Sequence, residues 1–257
     1  MNIVVCMKTV PGTMTSLSIS QAKNQLEPVV RSYCINETDE YAIDEALALR
    51  SLLGGQVTVL SAGPISFEEK LQVAVAKGAD RAIRISAPAY DADSSSAALA
   101  DTIRGLKYDL VLTGLESSDN LAAQVGISTA ARLGIPFLFA ATKIEIASGS
   151  RVARVTKELG NSTYAVLEVD LPALIAVQTG IQKLTYAPVA KLMQAKRRGI
   201  ECQKVADLPP TEEEKARGYE YLELAQPRRK RIAKYLQGSP SEIAAEIVNQ
   251  IAESMKS

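Results

Sequence analysis

The chain has 257 residues, 47% of them hydrophobic, and its 29 lysines and arginines balance 29 aspartates and glutamates. This length is enough to bury a proper core in one large domain, or in one domain with an appendage. A net charge of zero argues against a uniformly basic nucleic-acid binder and against a protein of the membrane surface. Histidine is absent, which excludes Ser-His-Asp and Cys-His catalysis and every zinc site that needs histidine.

The three cysteines, Cys6, Cys34 and Cys202, lie far apart and form no C-x-x-C pair. Such a sparse, odd set is typical of a reducing cytosol. The apolar run at residues 2–6 is short and Lys8 follows it, so it does not match a secretory signal. No apolar stretch approaches the ~20 residues of a membrane span. We therefore expect a cytoplasmic protein without stable membrane insertion.

Short apolar runs alternate with amphipathic stretches over the first 180 or so residues. Continuous apolar runs are typical of parallel strands covered on both faces, and they predict strands at Ile3–Cys6, Gln56–Ser61, Ala82–Ile85, Leu110–Thr113 and Leu174–Val177. The stretches between them predict helices at Glu37–Leu52, capped by Thr38 or Asp39, at Phe67–Lys77, ending at Gly78, and at Ser94–Leu106 and Asn120–Leu133. This alternation predicts an α/β fold with a doubly wound, mostly parallel sheet.

Two segments break the alternation. Phe137–Ile146, Arg151–Glu158 and Thr163–Val169 predict a late antiparallel meander. From about residue 186 the chain is rich in charge and has few apolar residues, so residues 211–234 form either an extended arm or a solvated tail. A final amphipathic helix begins with a capping box at residues 239–242. The predicted divisions are residues 1–185, 186–200 and 201–257.

Open parallel sheets bind ligands at the carboxyl ends of their strands, beside helix N-termini that attract phosphate. This rule marks the turns at residues 6–12, 36–39, 61–64 and 114–129. The last turn is the most informative, because Ala122, Ala123 and Gly126 would let a ligand approach the backbone closely. The same residues also fit an ordinary Ala-rich packing helix. Lys8 points either into a phosphate pocket or to solvent.

The sequence lacks the G-x-x-x-x-G-K-[ST] and G-x-G-x-x-G loops of nucleotide-hydrolysing and dinucleotide-binding proteins. The carboxylates near the turns, such as Glu116 and Asp119, do not form a convincing pair for acid–base catalysis. A nucleotide at these turns would therefore be held and not cleaved.

Several stretches resemble electron transfer flavoprotein β subunits, the family that includes FixA. They are the opening Met-Asn-Ile-Val-Val-Cys-Met-Lys-Thr-Val-Pro at 1–11, then residues 36–46, 76–82, 117–126 and 171–173, Tyr-Ala-Pro at 186–188 and Ala-Lys-Arg at 195–197. The order is kept over nearly the whole chain. Leu184-Thr185-Tyr186 stands where the family has Pro-Arg-Tyr, and Leu159-Gly160-Asn161 stands where it has Glu-Gly-Gly.

The resemblance implies an adenine-nucleotide α-hydrolase-like fold in an electron carrier that has no catalytic residues of its own. It implies a heterodimer with an α subunit that holds most of the FAD, and a structural AMP in this chain. Carried over by position, the AMP site comprises Cys6, Asn36, Thr38, Asp39, Ala62, Asp119, Gln124, Val125, Gly126, Ile127, Ser128 and Thr129.

The resemblance also implies a loop at Tyr186–Lys196 that recognises a donor flavoprotein dehydrogenase, with Tyr186, Val189, Leu192 and Lys196 as its contacts. In the family a leucine inserts into the partner, and Val189 is the matching position. An irregular connector is the alternative for this loop. The final helix, with its stripe from Ile243 to Ile251, would dock on the α subunit.

Two alternatives remain. In a bifurcating member a second FAD replaces AMP at the same turn, which usually reads Asp-Gly-Asp-Thr-Ala-Gln-Val-Gly. Residues 119–126 keep the end of this motif, but Asn120 and Ala122 stand in place of its first Gly and its Thr. A stand-alone adenine-nucleotide sensor would be a stable monomer without flavin, and an apolar helix on a long tether argues against it.

Overall fold

A computed structural model describes residues 1–12, 17–20, 25–28, 33–86, 91–204, 225 and 235–255. The chain divides into two compact units. One comprises Met1–Leu17 and Pro28–Tyr219, and the other comprises Ser18–Glu27 and Glu220–Ser257.

The first unit is built on a nine-stranded sheet. Its strands are β1 (Asn2–Cys6), β6 (Gln56–Ala62), β7 (Arg81–Ser86), β8 (Leu110–Gly114), β9 (Phe137–Ile146), β10 (Val152–Gly160), β11 (Thr163–Asp170), β12 (Ala173–Val177) and β13 (Glu201–Lys204). They lie in the order β11-β10-β9-β12-β8-β1-β6-β7-β13. From β9 to β13 across the sheet the pairings are parallel, while β9, β10 and β11 form an antiparallel meander. The α/β class, the five core strands and the meander are confirmed.

Two short ribbons complete the strands. β2 (Thr9–Pro11) pairs antiparallel with β5 (Tyr33–Ile35), and β3 (Leu17–Ser20) pairs with β4 (Gln25–Pro28).

Within the described residues the α-helices are α1 (Glu37–Leu53), α2 (Glu68–Lys77), α3 (Ala92–Arg104), α4 (Val125–Leu133), α5 (Val189–Arg198) and α6 (Pro240–Ser254). Gly78 ends α2 with a φ of +136°, as predicted from its freedom to adopt positive φ. The predicted start of the fourth helix at Asn120 is wrong, because α4 begins at Val125. None of the described helices is long and apolar enough to cross a membrane.

The core lies on both faces of the sheet. Ile3 and Val5 of β1 pack with Ile43 of α1 on one face, and Val4 packs with Leu99 of α3 on the other. Successive side chains of a strand point to opposite faces, so a strand covered on both sides needs an unbroken apolar run. The predicted strands are unbroken apolar runs because helices cover both faces of the sheet.

The C-terminal arm is predicted to begin at residue 201, but the sheet extends past that residue. Residues Glu201–Lys204 form β13, which pairs parallel with β7. The predicted arm or tail at residues 211–234 falls, except for residue 225, outside the described residues.

In the second unit, α6 begins with the predicted capping box. The Ser239 hydroxyl accepts a hydrogen bond from the Glu242 N–H, and the Ser239 N–H donates to the Glu242 carboxylate at 2.7 Å. None of the α6 residues is buried, and Ile247, Val248 and Ile251 remain 44–64% exposed.

A buried ion cluster ties the segment before α5 to α1. The fully buried Lys77 ammonium donates to Asp44 at 2.7 Å and to Glu40 at 2.9 Å. Asp44, which is also buried, accepts the N–H of Thr185 at 3.0 Å and its hydroxyl at 2.7 Å. The neighbouring Glu45 accepts a hydrogen bond from Gln182. Side chains of one helix therefore fix residues 182–185.

We predict that Lys77→Met lowers the free energy of unfolding by about 3–5 kcal/mol, because it leaves the Asp44 carboxylate buried without its cation. Lys143→Met is the matched control, since Lys143 and Glu145 form an exposed pair worth at most about 1 kcal/mol. Urea unfolding curves of the full chain measure both changes. Equal losses in the two variants would contradict the prediction.

Candidate functional site

Three of the four turns marked by the sequence meet at one edge of the sheet. The strands β8, β1 and β6 are adjacent and parallel, so the residues that follow them emerge side by side. The fourth, the start of α1, joins them because the Asn36 N–H donates to the Lys8 carbonyl at 2.9 Å. We call the edge of the sheet at which β8, β1 and β6 end the carboxyl edge.

The buried Asp39 carboxylate holds this edge together. One oxygen accepts the backbone N–H of Lys8 at 2.8 Å, and the other accepts that of Gly114 at 2.7 Å. A role as helix cap is therefore wrong for Asp39, and no side chain caps α1, whose N-cap residue is Asn36. Burial raises the pKa of Asp39 to about 6, although the two N–H bonds and Lys8 act in the opposite direction.

Asn36 and Thr38 fix the turn that follows β8. The Asn36 amide and the Thr38 hydroxyl both donate to the Glu116 carbonyl at 2.8 Å, and the Ser118 N–H donates back to the Asn36 oxygen at 3.0 Å. A Cβ atom at Gly114 would collide with Thr38 and Asp39, so only glycine fits there. The sequence placed Gly114 in the turn, but the contact that requires glycine comes from α1.

Lys8 points into the turn after β8. Its ammonium donates to the Asp119 carboxylate at 2.7 Å and to the Ser117 hydroxyl at 3.1 Å. Partial burial raises the pKa of Asp119, but the hydrogen bonds from Lys8 and Ser117 outweigh it, so the pKa lies below its usual value. Of the two orientations that the sequence left open for Lys8, the structure has the one directed at the predicted phosphate turn.

The segment between this turn and α4 is not helical. Leu121 and Ala123 have φ angles of +52° and +51°, which side chains with a Cβ rarely adopt. The N-cap residue of α4, Gln124, makes no side-chain capping hydrogen bond. The N–H groups of the first turn of α4 are therefore available to an anion, since the N-terminus of a helix carries partial positive charge.

Four buried hydroxyl groups have no hydrogen-bond partner among the described residues: those of Thr9, Ser61, Thr113 and Thr129. Ser61 and Thr113 lie at the carboxyl ends of β6 and β8, Thr9 follows β1, and Thr129 lies in α4. Buried polar groups are normally paired, so such a group indicates a missing water or ligand. The Thr113 hydroxyl lies close to the first turn of α4, because a Cβ atom at Gly126 would lie 3.0 Å from it.

The other predicted residues surround this position. Cys6 is buried and lies in register with Thr113, and burial raises the pKa of its thiol, which stays protonated. Ala62 ends β6. The first turn of α4 contributes Val125, Gly126, Ile127 and Ser128, with Ile127 half-exposed, and Gln124 and Asp119 lie near the surface. Thr113 was missed as a site residue, although a threonine that ends an apolar strand is a usable signal.

The turn after β6 is closed by its own side chains. The Phe67 ring lies directly against Gly63, and the buried Arg84 donates to the Gly63 carbonyl at 3.2 Å and to Glu68 at 2.9 Å. Phe67 also packs on Tyr33, with 5.7 Å between the ring centroids. Arg84 and Phe67 thus fix the turn that carries Ala62, and the sequence pattern did not point to either.

The predicted recognition loop contains a helix, α5, which packs against α2. Tyr186 is 97% exposed and Val189 is 77% exposed, whereas Leu192 is half-buried and Lys196 is exposed. The segment is therefore ordered and presents apolar side chains outward.

Two surface cavities of about 250 and 310 Å³ lie at the opposite edge of the sheet. Asn2, Gln56 and Arg81 line the first, and Met1, Tyr108 and Arg151 contribute to the second. Neither contains any of the unpartnered hydroxyls, so the carboxyl edge remains the candidate site. The described residues contain no group of acidic or cysteine side chains that could hold a metal ion.

The chain is similar to known proteins over most of its length. The model of the electron transfer flavoprotein domain matches residues 29–208. The chain is 30% identical to the electron transfer flavoprotein subunit beta of Bacillus subtilis, over 100% of this chain and 99% of the relative. It is 36% identical to the protein of that name from Clostridium acetobutylicum, over 76% and 75% of the two chains. It is 31% identical to the FixA protein of Bradyrhizobium diazoefficiens, over 78% and 72%.

We predict that Asp39→Asn lowers the free energy of unfolding at neutral pH by about 1–3 kcal/mol, because an amide has one acceptor oxygen for two buried N–H donors. The ordinary pKa of this carboxyl is 3.8 and the folded value is about 6, so the folded state binds the proton more tightly. Wild-type stability gains from that proton at low pH, and the gain is lost as the pH rises from about 4 to about 6. The variant lacks this dependence.

The measurement is urea unfolding of both proteins across that pH range. Asp170→Asn, at the exposed end of β11, is the control and should leave the pH profile unchanged. A stability difference between wild type and Asp39→Asn that grows between pH ~4 and ~6 would have the wrong sign.

Proposed function

The chain belongs to the electron transfer flavoprotein family, as a protein of its β-subunit type, and on that premise we propose that it is the β subunit of a heterodimeric electron carrier. In this proposal it binds AMP at the carboxyl edge, and FAD is held mainly by an α subunit. Electrons enter from a flavoprotein dehydrogenase. The carrier works in the cytoplasm, which the free cysteines support.

The observation that carries the AMP assignment is the unpartnered Thr113 hydroxyl beside the first turn of α4. Thr113 is 6% exposed, a Cβ atom at Gly126 would lie 3.0 Å from its hydroxyl, and α4 has no side-chain cap. A phosphate oxygen accepts hydrogen bonds from hydroxyls and from backbone N–H groups alike, and helix N-termini favour its charge. The residues present therefore fit a phosphate group.

The proposal gives the residues of the carboxyl edge separate roles. The first turn of α4, from Val125 to Ser128, would hold the phosphate with its N–H groups. Cys6, Asn36 and Ala62 flank it at the ends of neighbouring elements. Asp39 does not face the ligand in this account, because both of its oxygens are engaged by backbone N–H groups.

AMP supplies no redox chemistry, whereas FAD, when bound in the heterodimer, supplies the electron acceptor and donor. The chain's own task is then to shape the dimer and to position a donor, since electron transfer depends on short distances between cofactors. The described residues include no histidine and no metal cluster, and a carrier of this kind requires neither.

Donor docking is assigned to Tyr186–Lys196. Its support is an exposed apolar edge, Tyr186 and Val189, on a segment held by the buried cluster of Asp44 and Lys77. Exposed aromatic and apolar side chains on a rigid support are typical of protein–protein interaction sites.

Docking on the α subunit is assigned to α6. Its stripe of Ile247, Val248 and Ile251 is exposed and lies on one helical face, which is typical of a helix that binds in the groove of a partner.

The test is co-expression with an α-type subunit, followed by denaturation of the purified complex and chromatography of the released nucleotides. We expect FAD and AMP in equal amounts. FAD alone, at twice the amount per complex, would favour the bifurcating form with a second FAD. A monomer that carries adenylate without flavin would favour the stand-alone sensor.

Gly126→Ala locates the AMP in this chain. The new Cβ atom would lie 3.0 Å from the Thr113 hydroxyl and 3.5 Å from the Phe137 ring, so it displaces the first turn of α4, whose N–H groups would hold the phosphate. We predict that this variant releases much less AMP while its FAD content stays the same. Gly105→Ala is the control, because its Cβ atom meets its nearest neighbour at an ordinary 3.4 Å. Full AMP content in Gly126→Ala would refute this location.

A further inference from the structure

Lys8 is the cation of the turn that leads to the proposed phosphate position. Its ammonium contacts Asp119 at 2.7 Å and Ser117 at 3.1 Å, both in the turn between β8 and α4. The Lys8 side chain is about one-third exposed, so it is neither buried in the core nor free in solvent.

The backbone of Lys8 is fixed by buried groups. Its N–H donates to Asp39, and its carbonyl accepts the Asn36 N–H at 2.9 Å. These bonds hold the backbone of Lys8 in place, whereas its flexible four-carbon stem can carry the ammonium over several ångströms. The position of the base of this side chain is therefore defined, while its ionic partner can change.

Asp119 presents a problem for a phosphate in the same turn. Its carboxylate is ionised at neutral pH, because the hydrogen bonds from Lys8 and Ser117 hold its pKa below the usual value. A second anion beside it is repelled unless a cation lies between them. Lys8 is the described cation that contacts this turn.

We propose that Lys8 is the phosphate-binding cation of the site and that it exchanges partners. In the nucleotide-free chain its ammonium is paired with Asp119, and in the nucleotide-bound chain it contacts the phosphate of a nucleoside monophosphate. This assignment rests on the proposed AMP site. A terminal phosphate monoester carries between one and two negative charges near neutral pH, so a lysine favours it over an uncharged nucleoside.

The unpartnered Thr113 and Thr129 hydroxyls support the same position independently of Lys8. Thr113 lies near the end of β8, beside the first turn of α4, Thr129 lies in the middle of α4, and both are at least nine-tenths buried. Hydroxyls and helix N–H groups supply hydrogen bonds but no full charge. The lysine supplies the charge that they lack.

The test is a calorimetric titration of the purified, nucleotide-free full chain with AMP and, separately, with adenosine. Lys8→Met should weaken AMP binding by about 10–100-fold, as expected for the loss of a charge-assisted hydrogen bond, and change adenosine binding by less than about threefold. Lys8→Arg should retain most of the AMP affinity. Lys143→Met, which breaks an exposed lysine–glutamate pair outside the site, should change neither.

Asp119→Asn separates phosphate binding from a purely structural role. If Lys8 only holds the turn through Asp119, Asp119→Asn must weaken AMP binding as much as Lys8→Met does. Under the proposal it strengthens AMP binding, because the ammonium loses its competing partner and the turn loses a negative charge, and Lys8→Met still weakens binding in the Asp119→Asn background.

The outcomes distinguish this inference from the proposed function. A wild-type chain that binds no AMP contradicts the AMP site and the role of Lys8 together. AMP binding that Lys8→Met leaves intact, or weakens together with adenosine binding, contradicts the role of Lys8 alone. Unfolding midpoints of each variant verify that it is folded.

Discussion

One buried carboxylate joins the elements on which the candidate site depends. Asp39 lies in the first turn of α1, and its two oxygens accept N–H groups from the residue after β1 and from the end of β8. Parallel strands pair along their length but diverge where they end, so their terminal N–H groups need another partner. Asp39 supplies one acceptor to each. Burial disfavours its charge and raises its pKa, and the two short hydrogen bonds offset part of that cost.

The same helix connects this edge with the proposed docking segment. Its first turn fixes the turn after β8 through Asn36 and Thr38. Its middle holds residues 182–185 through Asp44, whose charge is balanced by the buried Lys77. A buried ion pair is costly to break from one side, so it gives the segment a single, well-defined position. The carboxyl edge and the proposed docking segment are thus both held by α1.

The carboxyl edge also differs from an ordinary folded surface in what it leaves unsatisfied. Buried hydroxyls without partners cost about 1–3 kcal/mol each, and four of them among the described residues lie around this edge. The first turn of α4, which has no side-chain cap, adds further donors, and the Lys8 ammonium adds a positive charge that is paired with Asp119 in this structure. A phosphate monoester provides oxygens for all three kinds of donor. The chemistry of the edge therefore points to an anionic ligand, which agrees with the AMP site proposed from the family.

The sequence by itself determined the five core strands and the meander and predicted the edge for a ligand, because these follow from local patterns: apolar runs and the carboxyl ends of parallel strands. Only the tertiary structure decided what individual polar side chains do. Asp39 has the spacing of a helix cap but bonds two strands, and Lys8 contacts a turn more than a hundred residues away. The strand Glu201–Lys204 has no apolar pattern and forms only by pairing with the exposed edge of β7. Such contacts depend on which distant residues the fold brings together, and no local periodicity encodes that.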